Sequence, residues 1–310
     1  MADNNSLDGG ETLRRQINDQ VMIVQILVMI FLCINLLLIV TFFKKECFYA
    51  TTRYILFAVT LLSDSLMLFI SDILLILSYF RFTMQVWLCV IISFMVLLYL
   101  TVTPVTLTAM TLERYVAICM PLRHGELCST RRTVHCILIV HGISSVPCIV
   151  ILSTFFASAS LSFYKQYQIC SVQMFTFYAW QDYITSAVQQ FYFLVMCMII
   201  VFSYIKIMKV AKAASGEDKK SSKKGLRTVV LHGFQLLLCL IQLLCPFIET
   251  SVLQINFRLF VNVRYFNYIM FNLAPRCLSP LIYGLRDENF FQALKHYASA
   301  PFHCVKALIC

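Results

Sequence analysis

The sequence predicts an all-α membrane protein, a bundle of seven transmembrane helices followed by a short interfacial helix. Three observations carry this. Of 310 residues, 60% are hydrophobic and only 13% charged, and the mean hydropathy is +0.80. A soluble domain is nearer half apolar and a quarter charged, so this chain needs a non-aqueous solvent. Second, seven largely apolar runs recur, at 21–43, 54–79, 86–119, 134–156, 184–207, 228–253 and 265–283. Each reaches at least roughly the 20 residues a helix needs to cross a bilayer, and each is continuous rather than alternating as in a barrel strand. Third, the basic residues are one-sided. Eighteen of the 25 Lys and Arg flank one side of the runs, six the other, and Arg276 lies inside the seventh run. By the positive-inside rule the N-terminus is outside and the C-terminus cytoplasmic.

The elements follow in order. Residues 1–20 are polar and carry both signs of charge. They lack the apolar core and small-residue cleavage site of a signal peptide, so the first run is expected to direct insertion. With this end outside, Asn4 in Asn4-Asn5-Ser6 is a glycosylation candidate. Residues 21–283 form the membrane domain, and 284–310 a cytoplasmic tail. Most of the fourteen Cys, such as Cys33, Cys136, Cys197 and Cys239, fall within apolar runs and read as small hydrophobes rather than a disulfide scaffold. The polar stretch at 211–224, AKAASGEDKKSSKK, is the one strongly polar inner loop. It reads as a solvated linker near anionic headgroups, or as a phosphorylation segment through Ser215, Ser221 and Ser222. In the tail, Asp287 can cap a short helix that places Phe290, Phe291, Leu294 and Tyr297 on one face, as an interfacial helix would. Cys304 and Cys310 follow it, as palmitoylation candidates or ordinary free thiols.

The net charge of +10 does not indicate nucleic acid, because the basic residues are confined to particular loops. The sequence has no HExxH, GxSxG or P-loop, so an enzyme has no support. The six His form no metal-spaced set, and no metal or cofactor is expected. A channel or transporter would show internal repeats or interrupted half-helices, and neither is evident.

Two motifs narrow the field. Residues 110–124 read MTLERYVAICMPLRH and resemble the odorant-receptor signature MAYDRYVAICxPLxY, with Glu113 for Asp and His124 for Tyr. Residues 279–286 read SPLIYGLR, similar to NPxIYxLR with Ser279 for Asn. Asn35, Asp64 and Ser203-Tyr204-Ile205 stand where the family has its first-span Asn, second-span acid and fifth-span end. The departures are the missing PMYFFL and KAFSTC motifs, the missing fourth-span Trp, a single Cys in the loop before the fifth span, and Pro246 in the sixth span. The chain is therefore most similar to the divergent odorant receptors of teleost fish, within the rhodopsin-like (class A) G-protein-coupled receptors.

The resemblance implies a small-molecule odorant as ligand, a heterotrimeric G protein of the olfactory stimulatory type as partner, and a place in the plasma membrane. A rhodopsin-like receptor for a peptide or lipid is the alternative that Pro246 and the short outer loop keep open. It also implies a Cys89–Cys170 disulfide on the outer side and a switch built from Glu113, Arg114, Tyr115, Tyr204, Pro280 and Tyr283. Arg114 also has a plainer reading, as a snorkelling anchor at a helix end. Family alignment directs Val96, Leu97, Leu100 and Thr101 of the third span toward the ligand. Val188 and Tyr192 come from the fifth, Phe247, Ile248 and Ser251 from the sixth, and Ile269 and Asn272 from the seventh. Val96 stands where amine receptors carry an aspartate, which disfavours a primary amine held there. Asp64 occupies the position that often binds sodium in rhodopsin-like receptors. Arg276 is an intramembrane cation in need of a partner, and an Asp64–Arg276 ion pair in the bundle is the expectation, with waters or backbone carbonyls as the alternative partners of the guanidinium.

Overall fold

The computed structural model describes residues 2–48, 51–214, 219–279, 290–292 and 294–295. The chain runs α1 (Ala2–Lys44), α2 (Thr52–Tyr79), β1 (Thr83–Gln85), α3 (Val86–Cys119), α4 (Pro121–Leu127), α5 (Thr130–Ser158), β2 (Tyr167–Ile169), α6 (Ala179–Ala214), α7 (Lys219–Gln242), α8 (Cys245–Leu253), α9 (Phe257–Asn267) and α10 (Ala274–Ser279). Five of these, in α1, α2, α3, α5 and α6, are long and apolar enough to cross a membrane. The sixth span of the bundle is the bent pair α7–α8. The seventh is the continuous run α9, a π-helical turn at Tyr268–Leu273, and α10.

The sixth span bends because of its sequence. Gln242 ends α7, Cys245 begins α8, and the axes differ by 41°. Pro246 sits in the first turn of α8, where it lacks an N–H to give to the preceding turn. The seventh span is polar because Arg258, Asn262, Arg264, Asn267, Asn272 and Arg276 punctuate it. Pro275 cannot donate to the Phe271 carbonyl, which fits the wider π turn just before it.

The boundaries differ from expectation at polar ends, where a helix outruns its apolar core. Residues 1–20 were expected as a polar tail, yet α1 begins at Ala2. Its extension is tied down by side chains: Gln16 and Gln20 donate to Asn262 Oδ1 of α9, and Tyr79 Oη to Asn18 Oδ1. Helices α6 and α7 likewise extend into the polar 211–224 stretch, and the seventh span starts at Phe257 rather than at 265.

Large apolar side chains point outward along the spans, among them Met29, Leu36, Leu62, Phe69, Leu138, Ile149, Phe191 and Met198. Water would not tolerate so many on every helix, but lipid does. Both Trp, Trp87 and Trp180, are half exposed near the β1 end, with Tyr79, Tyr178 and Tyr183, as in an interfacial aromatic belt. Inside, one apolar cluster joins α1, α2, α3, α6 and α7 through Leu38, Phe57, Leu107, Met110, Met196 and Leu240. Residues 290–292 and 294–295 are helical and return to this cluster. Phe290 is fully buried, with its ring 5.1 Å from that of Phe48, whereas Phe291 is exposed. The expected single apolar face is thus divided between the bundle and the outside.

Candidate functional site

A small lid closes one end of the bundle. β1 pairs antiparallel with β2, with Thr83 opposite Ile169 and Gln85 opposite Tyr167. The residue after β2 is Cys170, and Cys89 lies in the first turn of α3, which starts directly after β1. The sheet therefore carries the two cysteines together, and they form a disulfide with Cα atoms 5.5 Å apart. Gln181 fastens the other side of the loop. Its Oε1 accepts from the backbone N–H of Phe177 and Tyr178, and its Nε2 donates to Thr154 O and Ser158 Oγ at the end of α5.

Below the lid is an apolar cleft between α3, α5, α6 and the break that follows α7. Leu97, Leu100, Thr101 and Tyr192, four of the residues that the resemblance directs toward a ligand, line it. So do Pro147, Cys148 and Ile151 of α5, Gln189 of α6 and Leu243 at the α7–α8 break, none of which the sequence reading singled out. The family-based set leaned on the sixth and seventh spans, whereas the cleft opens toward the fourth. Val96, Val188, Phe247, Ile248, Ser251, Ile269 and Asn272 do not line it. Val96 is buried, while Ile248 and Ser251 are exposed beyond the bend at Pro246. Asn272 is engaged instead by Arg276.

The centre of the bundle is polar. Asp64 of α2 is fully buried and accepts from Thr103 Oγ1 of α3 at 2.9 Å. Arg276 of α10 is equally buried, with its Nε 3.6 Å from Asp64 Oδ1. Its Nη1 donates to Asn272 O at 2.7 Å and to Asn272 Oδ1 at 2.5 Å. A charged side chain here finds partners only inside the protein, so α2, α3 and the seventh span converge on one carboxylate. Gln235 Nε2 of α7 donates to the Pro275 carbonyl beside it, adding a fourth helix to the same layer. Asn35 of α1 is fully buried too, and its amide makes no hydrogen bond among the described residues.

Toward the other end α3 carries Glu113-Arg114-Tyr115, about one turn before it finishes at Cys119. Glu113 Oε1 lies 3.3 Å from His124 Nε2 of α4, the residue that stands where the family signature has Tyr. Tyr115 and Phe202 of α6 have ring centroids 6.0 Å apart. Tyr204 faces α7, where a methyl group added at Gly233 would meet its ring edge at 3.7 Å. Cys128 follows α4, and burial, with the Glu113 carboxylate and Cys136 adding, pushes its thiol up from the ordinary value. Pro280, Tyr283, Cys304 and Cys310 lie outside the described residues, as does the side chain of Asn4.

Comparison with known proteins gives this arrangement its family. The profile of the seven-transmembrane receptors of the rhodopsin family matches residues 34–283. Odorant receptor 131-2 of Danio rerio is 42% identical over 302 residues, covering 97% of this chain and 93% of that protein. Galanin receptor 2a of Danio rerio is 23% identical over 71% of this chain and 62% of its own length. Olfactory receptor 1073 of Rattus norvegicus is 28% identical over 62% of this chain and 61% of its own. The teleost likeness read from the motifs and their departures agrees with the first of these. This chain belongs to the rhodopsin family of seven-transmembrane receptors, and is an integral, multi-pass membrane protein.

Proposed function

We propose that this protein is an odorant-type receptor of the plasma membrane, with its N-terminus outside. It binds a small molecule within the helix bundle and activates a heterotrimeric G protein of the olfactory stimulatory type. The observation that carries the reading is the 42% identity to an odorant receptor over 97% of the chain, taken with the MTLERYVAICMPLRH motif at the end of α3.

The cleft supports a small, mainly apolar ligand. Its walls are Leu97, Leu100, Pro147, Cys148, Ile151 and Leu243, with polar groups only from Thr101, Gln189 and Tyr192. Few polar groups among apolar walls suit orientation rather than charge pairing. The coupling route is carried by two helices. α3 holds Thr101 at the cleft, Thr103 on Asp64, and Glu113-Arg114 at the far end. Leu243 lines the cleft and lies in the break between α7 and α8, so an occupant presses directly on the 41° bend. A change of that bend moves the middle of α7, where Gly233 lies beside Tyr204. Between these layers the Arg276 guanidinium takes the place a sodium ion has beside this carboxylate in related receptors.

A ligand screen in cells, with cyclic AMP as readout, tests the function. A subset of small organic molecules raises the signal, and Arg114→Ala abolishes it while surface expression persists. Response to peptides alone refutes the odorant reading, and full signalling by Arg114→Ala reduces Arg114 to an anchor. Orientation is tested separately. Glycosidase treatment shifts the mobility of the chain made in a eukaryotic secretory pathway, and Asn4→Gln removes the shift.

A further inference from the structure

We propose that Glu113, His124 and Cys128 form a zinc site at the end of α3, a site independent of which ligand the cleft takes. One ligand atom from each of the three lies within 4.8 Å of the other two. This is the one such group of three or more metal-ligating side chains among the described residues.

The backbone accounts for the arrangement. His124 and Cys128 are four residues apart across the end of α4, and the Cys128 N–H donates to the His124 carbonyl at 2.8 Å. That spacing puts imidazole and thiol on the same face of one turn. The Cys128 carbonyl accepts from Thr52 Oγ1 of α2 at 2.7 Å, so a second helix holds the turn in place. Glu113 comes from α3 and already meets His124 at 3.3 Å.

The donor set selects the metal. Imidazole nitrogen, thiolate sulfur and a single carboxylate oxygen suit zinc, whereas calcium and magnesium take oxygen cages. Tetrahedral zinc needs donors about 3.5 Å apart, with bonds of about 2.0–2.3 Å. Rotation about the side-chain bonds closes the present spacing by little more than an ångström. His124 has 37% of its side chain exposed and Glu113 11%, which leaves a path for the ion and room for water as fourth ligand. On binding, the Cys128 thiol releases its proton to water and sulfur donates a lone pair to the metal, with no change of oxidation state.

The consequence, which rests on the switch role of Glu113-Arg114, is a brake. Zinc fixes the Glu113 carboxylate to α4 and resists rearrangement of the α3 end. Binding itself is measured without reference to signalling.

The experiment uses the full chain, purified in detergent through a tag without histidines and kept reduced, with Zn2+ alone as probe against a chromogenic chelator. Cys128→Ser and His124→Phe are each expected to weaken binding by more than the roughly 10–100-fold that outer-sphere partners cost. Cys33→Ser, at an exposed thiol in α1, leaves binding unchanged. Co2+ in place of Zn2+ gives a thiolate charge-transfer band that Cys128→Ser removes. In the unaltered chain, Zn2+ slows alkylation of Cys128 at least tenfold, read by mass spectrometry of its peptide. Equal affinity in the native chain and Cys128→Ser overturns the site, as does alkylation of Cys128 at the same rate with and without Zn2+.

Discussion

Asp64 and Glu113 each meet a nitrogen-bearing side chain, one pair fully buried and the other partly exposed. The Asp64–Arg276 contact has both partners essentially inaccessible, while in the Glu113–His124 contact the histidine is 37% exposed. The same attraction therefore does different work. In the bundle centre neither charge has water to turn to, so separating the pair strands both and the contact fixes the helices around it. At the helix end water reaches the histidine and, to a smaller extent, the 11%-exposed carboxylate as they part, so that contact opens at lower cost and suits a switch.

The sharpest way to break this contrast is to remove one partner of the buried pair. Asp64→Asn and Arg276→Gln are each expected to lower stability by about 3–5 kcal/mol, the usual cost of stranding a buried charge. Thermal unfolding of the detergent-solubilised receptor reads the loss. The double variant recovers part of it, and simple addition of the two losses contradicts the pairing. In the native receptor, exchanging sodium for an organic cation at constant ionic strength leaves agonist affinity unchanged, because the guanidinium already neutralises the carboxylate. A sodium-dependent affinity contradicts that occupancy.

The disulfide gives a covalent standard for the same comparison. Cys89→Ser or Cys170→Ser is expected to cost about 2–4 kcal/mol, less than chain entropy alone suggests for so long a loop, because the membrane already restricts the unfolded chain. Surface expression falls in each, and the double variant is no worse than either single one. Additive losses mean that the two cysteines act separately. The Asp64 variants should match or exceed this loss, although no covalent bond is cut.

The two regions also differed in how far the sequence revealed them. The buried pair was legible because hydropathy isolates ions: Asp64 and Arg276 stand out in apolar runs, and lipid forces such groups inward. The spans were legible for the same reason, except where polar residues continued a helix beyond its apolar core, as at Gln16 and Gln20 in α1. The cleft was less so. Pro147, Cys148 and Ile151 carry no chemical signal distinct from lipid-facing residues, and only packing turns them toward α3. The α3 end was half legible. His124 was visible as a departure from the motif, but its approach to Glu113 depends on α4 folding back after Pro121, which a linear spacing of eleven residues does not convey.

Of these contacts, the smallest effect is expected at the partly exposed one. His124→Tyr, which installs the residue of the family signature, removes the imidazole that meets Glu113 at 3.3 Å. Glu113 is then left near the bundle edge with some water in reach, so the loss of stability in a metal chelator is below about 1 kcal/mol, the range of partly exposed polar contacts. A tyrosine hydroxyl can also donate to the carboxylate, which reduces the difference further. Melting curves of the two proteins in chelator should nearly coincide. A loss comparable with that of Arg276→Gln means that the α3 end is as dry as the bundle centre, and the proposed division between a fixed pair and an opening one fails. Repeating the melts with Zn2+ sharpens the comparison. The native chain gains stability by preferential binding of the metal to the folded state. The variant, lacking the nitrogen ligand, gains less, so the two curves separate only when the metal is present.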